Sequence, residues 1–279
     1  MRGHGNEPKK RNALGKALQL LRWMIDTSES GDKLQWGVRE IGEALQMPPA
    51  SVHRLLAALV EQGWVTQSPD SGQYQIGAEF HRLGLQLSSR FPIRSVGIPI
   101  MQDLVAACKE TALLGLYDSS RLEMLFIASV NSPYPLRYVM RLNEWIPVYA
   151  GASGMAIMAF LPESERRAII QRGLKPITRN TITNAEVLEK ELDQVRLRGW
   201  ARSNGHRNLG TIAFGAPIWG PEGRVIGSLL LTLPEARFDP RSERTLVRQV
   251  VHHASRITER LGGRRPKAVR PAFKHSREP

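Results

Sequence analysis

The sequence predicts an α/β chain of the α+β kind: an N-terminal winged helix-turn-helix, a linker helix and a larger sheet domain. Three observations carry this expectation. Three short helical periodicities and two β-like runs fill the first part of the chain. A further apolar-striped helix ends at Phe91-Pro92, where proline disfavours continuation. After that break, strands and helices are mixed in the order expected of one sheet covered by helices. A length of 279 residues also favours two domains over one.

In order, Leu14, Ala17, Leu18, Leu21, Met24 and Ile25 recur at helical spacing, and the polar run 27–32 ends that helix. A second helix is expected over 38–45, with Val38, Ile41, Ala44 and Leu45 on one face. Met47-Pro48-Pro49 interrupts, and proline suits the first turn of the helix that follows. That third helix should bury Val52, Leu55, Leu56, Leu59 and Val60 and stop at Gly63. Two β-like runs, 64–67 and 73–76, flank Ser68-Pro69-Asp70-Ser71-Gly72, which has hairpin-turn chemistry. Residues 78–90, striped by Phe80, Leu83 and Leu87, form the expected linker.

The second domain should open with a helix over 95–110, aligned on Val96, Ile100, Leu104 and Cys108. Strands are expected at 112–117, 123–130 and 137–141, then helices at 151–160 and 163–172. Thr183 reads as the N-cap of a helix over 185–198, with Glu186 completing a capping box. Strands at 211–219 and 225–233 flank the turn Gly220-Pro221-Glu222-Gly223, and a helix over 241–261 closes the domain. The expected organisation is a basic arm 1–12, a winged helix-turn-helix 13–77, a linker 78–91, a sheet domain 92–262 and a basic tail 263–279.

Composition narrows the function. Hydrophobic residues are 42% of the chain, enough for ordinary cores, and no apolar run approaches the roughly 20 residues of a membrane span. The start MRGHGNEPKKRN lacks the apolar stretch of a secretory signal. Cys108 is the single cysteine, which excludes an internal disulfide and a thiolate metal cluster. These features predict a cytoplasmic, nucleoid-associated protein without cofactor or metal. The net charge of +13 is concentrated at the ends: residues 1–16 hold five Lys/Arg against one Glu, and residues 262–279 hold six against one. Both tails read as disordered, able to attract phosphates or simply to aid solubility.

The third helix carries the first functional signal. Its early turns place Ala50, Ser51, His53 and Arg54 away from the apolar face, with no acidic residue before Glu61. Short side chains allow close approach to a major groove, and arginine pairs with guanine or grips a phosphate. Gln73 and Tyr74 on the wing complete the expected contact set for double-stranded operator DNA. Two other patterns fall short of chemistry. Gly151-Ala152-Ser153-Gly154 lacks the spacing of a nucleophile elbow, because Met155 stands where its last glycine belongs. His252 and His253 are adjacent on a helix and do not face one another as metal ligands do.

Together KALQLLRWM, IGEALQMPPASVHRLLAALVEQGWV, DSGQYQIG, IPVYAGASGMAIMAFLPE and LDQVRLRGWARSNGHRNLGTIAFGAPIWGPEGRVIGSLLLTLP resemble the IclR family of bacterial regulators over roughly residues 14–261. The resemblance implies a winged-helix DNA reader joined to a GAF-like effector-binding domain, acting as a homodimer or dimer of dimers. It also implies an effector site at Ser153, Gly154, Ser203, Ala213, Leu230 and Thr232. The chain departs from the family's pattern at Pro49-Ala50-Ser51 and Gln73, which lack basic residues, and at Tyr149-Ala150-Gly151 and Gly205-His206. With Ala213, Phe214 and Leu230 as lining, the effector should have an apolar or aromatic body and one polar end. The alternative is an enzyme or small-molecule carrier whose helix-turn-helix serves protein contacts.

Overall fold

A computed structural model describes residues 13–28, 33–90 and 92–266. The basic arm, residues 267–279, residues 29–32 and Phe91 of the expected break lie outside these residues. Contacts divide the chain into two units, Met1–Arg90 and Phe91–Pro279.

In the first unit, α1 (Ala13–Ser28), α2 (Val38–Leu45) and α3 (Pro49–Glu61) precede a hairpin of β1 (Val65–Gln67) and β2 (Tyr74–Ile76). The turn between α2 and α3 is tight. Gln46 adopts a left-handed conformation (φ 55°), and the Met47 N–H donates to Gly42 O at 2.8 Å. A Cβ on Gly42 would lie 2.9 Å from Met47 O, so glycine keeps this turn closed. α3 ends at Gly63, whose φ of +72° a side chain would resist. Leu20, Met24, Trp36, Ile41, Met47, Val52, Leu56, Val65 and Tyr74 form the core. Each fully buried aliphatic side chain there contributes roughly 1.5–3 kcal/mol of transfer free energy. Trp36 pairs with Tyr74 through two backbone hydrogen bonds of 2.9 Å and so extends the hairpin. Of the apolar face expected on α3, Val52 and Leu56 are buried, Leu55 and Leu59 half-buried, and Val60 is 37% exposed. α4 (Ala78–Arg90) follows; Phe80 meets Trp64 edge-on at 4.8 Å.

The second unit is a six-stranded antiparallel sheet with helices on both faces. Its elements are α5 (Ile93–Cys108), β3 (Thr111–Asp118), β4 (Glu123–Val130), β5 (Ile146–Pro147), α6 (Ala152–Met158), α7 (Glu163–Gln171), α8 (Ala185–Arg198), β6 (Ala201–Asn204), β7 (Thr211–Trp219), β8 (Val225–Pro234) and α9 (Glu243–Arg260). The strand order is β5-β4-β3-β8-β7-β6. One face, with Ile212, Phe214, Leu229 and Leu231, packs against α5 and α9. The other, with Leu113, Met124, Phe126, Ala213 and Leu230, packs against α6 and its neighbours. β7 is buried at every position, which is why its residues read as a continuous apolar run rather than an alternation.

The structure corrects three expectations and adds one strand. Residues 137–141 form no strand; β5 and the Asn143 N–H, which donates to Phe126 O at 2.8 Å, occupy the β4 edge instead. The N-cap of α8 is Asn184, whose side chain accepts from the Val187 N–H at 3.0 Å, and not Thr183. β6 went unpredicted because its four residues hold too few apolar groups for a pattern. Phe214 lies on the face toward α5 and α9, against Trp200 and Phe238, so it lines no site beside α6.

Candidate functional site

The α3 face is built as expected from Pro49 onward. Ala50, His53 and Arg54 are exposed and Ser51 is half-buried, while Val52 and Leu56 anchor the opposite side. Neither His53 nor Arg54 makes a side-chain hydrogen bond or ion pair among the described residues, so both present free polar groups outward. On the wing, the Ser68 N–H donates to Gln73 O at 2.8 Å and closes the turn. Gln73 is half-buried beside the wing tip. Tyr74 corrects the expectation: it is only 3% exposed, because alternation along β2 turns its ring into the core, and its side chain is withdrawn from any surface contact.

In the second unit, a cavity opens between the sheet and the start of α6. All six positions expected for an effector, Ser153, Gly154, Ser203, Ala213, Leu230 and Thr232, lie on its wall. Its free volume is only about 40 Å³, so the surrounding side chains nearly fill it. Glycines allow the close fit. A Cβ on Gly154 would stand 2.1 Å from Val148 O, and one on Gly215 would stand 2.5 Å from Ala152 O. α6 therefore rests backbone-to-backbone on β7, and Gly151 before it has φ +91°.

Much of the polar wall is already engaged. Ser153 Oγ lies 2.6 Å from Ser228 Oγ; Thr211 Oγ1 donates to Asn208 O at 2.7 Å, and Thr232 Oγ1 to Ile212 O at 3.4 Å. Sequence reasoning named Leu230 and Thr232 on β8 and missed Ser228, two positions before Leu230 on the strand. It also stopped one residue short of Arg207. That guanidinium reaches the cavity wall and donates from Nη2 to Pro147 O at 2.7 Å and Ala150 O at 3.1 Å. Burial lowers its pKa to about 10, still protonated at neutral pH. Tyr138 and Met140 complete the wall from the irregular stretch 131–145. Arg237 braces that stretch: it pairs with buried Glu110 through two 2.6 Å contacts and donates to Leu136 O at 3.0 Å.

Nothing here resembles a reaction centre. The hydroxyl of Ser153 meets another hydroxyl, with no imidazole or carboxylate partner among the described residues. Among those residues no group of His, Cys, Asp or Glu could hold a metal, and no helix is long and apolar enough to cross a membrane.

Residues 13–69 match the IclR helix-turn-helix domain, and residues 85–259 match the family described as bacterial transcriptional regulator IclR C-terminal. The chain belongs to the IclR family. Its members are transcriptional regulators, not enzymes, with a DNA-binding helix-turn-helix and an effector domain. The chain is 31% identical over 217 residues to the HTH-type transcriptional regulator KipR of Bacillus subtilis, covering 77% of this chain and 86% of that one. The crystal structure of Thermotoga maritima IclR superposes with a TM-score of 0.72 at 28% identity, covering 90% and 99% of the two chains. An IclR homolog from Microbacterium hydrocarbonoxydans, solved in complex with 4-hydroxybenzoate, shares the fold with a TM-score of 0.75 at 21% identity, covering 90% and 99%.

Proposed function

We propose that this IclR-family regulator binds operator DNA through α3 and releases or tightens that grip when a small molecule with an apolar or aromatic body enters the cavity beside α6. The observation that carries the effector half is the cavity's lining: Leu113, Met124, Phe126, Ala213 and Leu230 give it an apolar floor with few unengaged polar groups. Unpaired polar groups are costly to bury, so a small, heavily oxygenated acid fits this floor poorly. The 4-hydroxybenzoate held by the Microbacterium homolog has the kind of body this reading expects. The protein acts in the cytoplasm as a homodimer or dimer of dimers, and binding shifts it between two arrangements of its reading heads. Ala50, Ser51, His53, Arg54 and Gln73 form the DNA contact set.

The test is a gel shift with the protein's own upstream DNA, run with and without a panel of aromatic and small oxo-acids. A shift that responds to aromatic members is the expected result. Leu230→Ser, which roughens the apolar floor, should weaken the aromatic ligand several-fold and favour small oxo-acids. Operator binding that responds only to glyoxylate-like acids overturns the pocket chemistry proposed here.

A further inference from the structure

We propose that Arg207 is the charge-selecting residue of this cavity, and that the effector it admits is an organic anion with an apolar body. The inference rests on the reading of the cavity as the effector site and adds the ligand's charge and the residue that selects it.

The cavity wall contains one cation and no Asp or Glu. Arg207 forms no ion pair among the described residues, and its two acceptors, Pro147 O and Ala150 O, are neutral carbonyls served by a single nitrogen. Guanidinium carries five N–H donors, so Nε and Nη1 are left for another partner. Other partly buried arginines of this unit differ. Arg166 and Arg196 meet Glu189, Arg198 meets Glu191, Arg202 meets Glu243, and Arg237 meets Glu110. The fold thus neutralises the arginines it buries, and it leaves the one on the cavity wall without a carboxylate. A half-buried charge without a counter-charge has lost part of its hydration with nothing to replace it. Lowered by burial only to about 10, its pKa still leaves the charge in place at pH 7. A ligand carboxylate or sulfonate would supply the missing partner through charge-assisted hydrogen bonds. The hydroxyls of Ser153, Thr211 and Thr232 are engaged elsewhere, and Leu113, Met124, Phe126, Ala213 and Leu230 offer their side of the wall to an apolar body.

The experiment uses the full-length chain and calorimetry with three probes. Benzoate and cyclohexanecarboxylate are anions with apolar bodies; benzamide has the shape of benzoate without its charge. Both carboxylates should bind at least about ten-fold more tightly than benzamide, the size of one charge-assisted bond. Arg207→Gln should remove that margin while leaving benzamide unchanged, and Arg207→Lys should keep the preference for anions. Equal binding of benzoate and benzamide by the wild type overturns the inference. So does an Arg207→Gln variant that weakens all three probes alike, because a mere brace for the 147–150 backbone would act that way. If Arg207→Gln fails to fold, the wild-type pair and Arg207→Lys still decide. Leu230→Trp, which fills the cavity, should abolish benzoate binding. Benzoate binding that survives it places the ligand elsewhere and overturns the cavity reading itself. No binding by any probe at millimolar concentration overturns both.

Discussion

Gly154→Ala is the sharpest single test of how the cavity is built. The new methyl group would start 2.1 Å from Val148 O, where ordinary van der Waals contact begins at 3.4 Å. Relief therefore requires α6 and the 148 carbonyl to separate by about 1.3 Å, the difference of those distances. Neither side yields easily. The atom in the way is backbone, and Gly215 holds the same helix against β7 with Ala152 O only 2.5 Å from a built Cβ. Overpacking of this kind costs roughly 1–3 kcal/mol, and backbone obstruction puts the expectation at the upper end. For a unit of this size the upper end corresponds to a fall in Tm of about 6–12 °C. Displacement of α6 also moves the Ser153 hydroxyl off Ser228, so benzoate affinity should drop with stability. Melting of the full-length protein and calorimetry on the same sample measure both effects. Gly84→Ala is the control, since nothing lies within 4 Å of a Cβ there and the site is a helix interior. It should raise stability by about 0.5–1 kcal/mol. Melting of Gly154→Ala within about 1 °C of wild type, with unchanged benzoate binding, would refute the backbone-to-backbone account.

Arg54→Ala should weaken operator binding by roughly 1–3 kcal/mol without altering the melt, because Arg54 is exposed and the apolar face of α3 stays intact; filter binding at fixed salt checks it. Deleting 1–12 and 263–279 should flatten the salt dependence of DNA binding by up to about 0.9 log units per lost phosphate contact and preserve operator preference; an identical slope makes the tails solubility elements only. Burial holds the imidazoles of His253 and His206 below their ordinary pKa, so the folded state binds fewer protons than the unfolded one. Their contribution is complete above the unfolded pKa of 6.5 and is lost as pH falls below it, so Tm should decline from pH 7 toward pH 5; a His253→Gln variant should show a shallower decline.

The helix-turn-helix was legible because each of its parts leaves a separate mark. Val38, Ile41 and Leu45 give a period, Pro49 a start, Gly63 a stop, and Ser68 to Gly72 a turn. Each mark depends on neighbours within a few residues, which sequence reading handles well. β7 and β8 were legible for the same reason: burial on both faces leaves long apolar runs. The stretch 137–141 holds a short β-prone run, Tyr138-Val139-Met140, yet whether it pairs depends on what occupies the β4 edge. Ile146 and Pro147 take that edge, and no local pattern in 137–141 announces it. Tyr74 shows the same limit in miniature. Its place beside the wing tip suggested a surface role, while one step of pleat alternation turns it inward.

The cavity divides along a similar line. Its six expected positions came from motif likeness, and they converge because α6 and strands β6 to β8 are regular elements that carry their registers with them. Arg207 sits in the turn between β6 and β7, where no periodicity says which way a side chain points. In a sequence with 39 Lys and Arg, one more arginine in a loop reads as surface charge. Only tertiary structure reveals that this one reaches back across Gly151 to the Pro147 and Ala150 carbonyls. The signal available beforehand was relative rather than local. Arg207 has no acidic residue within four positions on either side, whereas Arg196 has Asp193 three positions before it, within helical reach. Charge without a nearby counter-charge is a cue worth pursuing when the residue falls beside motif positions. Here it separates a cavity that merely accepts apolar matter from one that selects by charge.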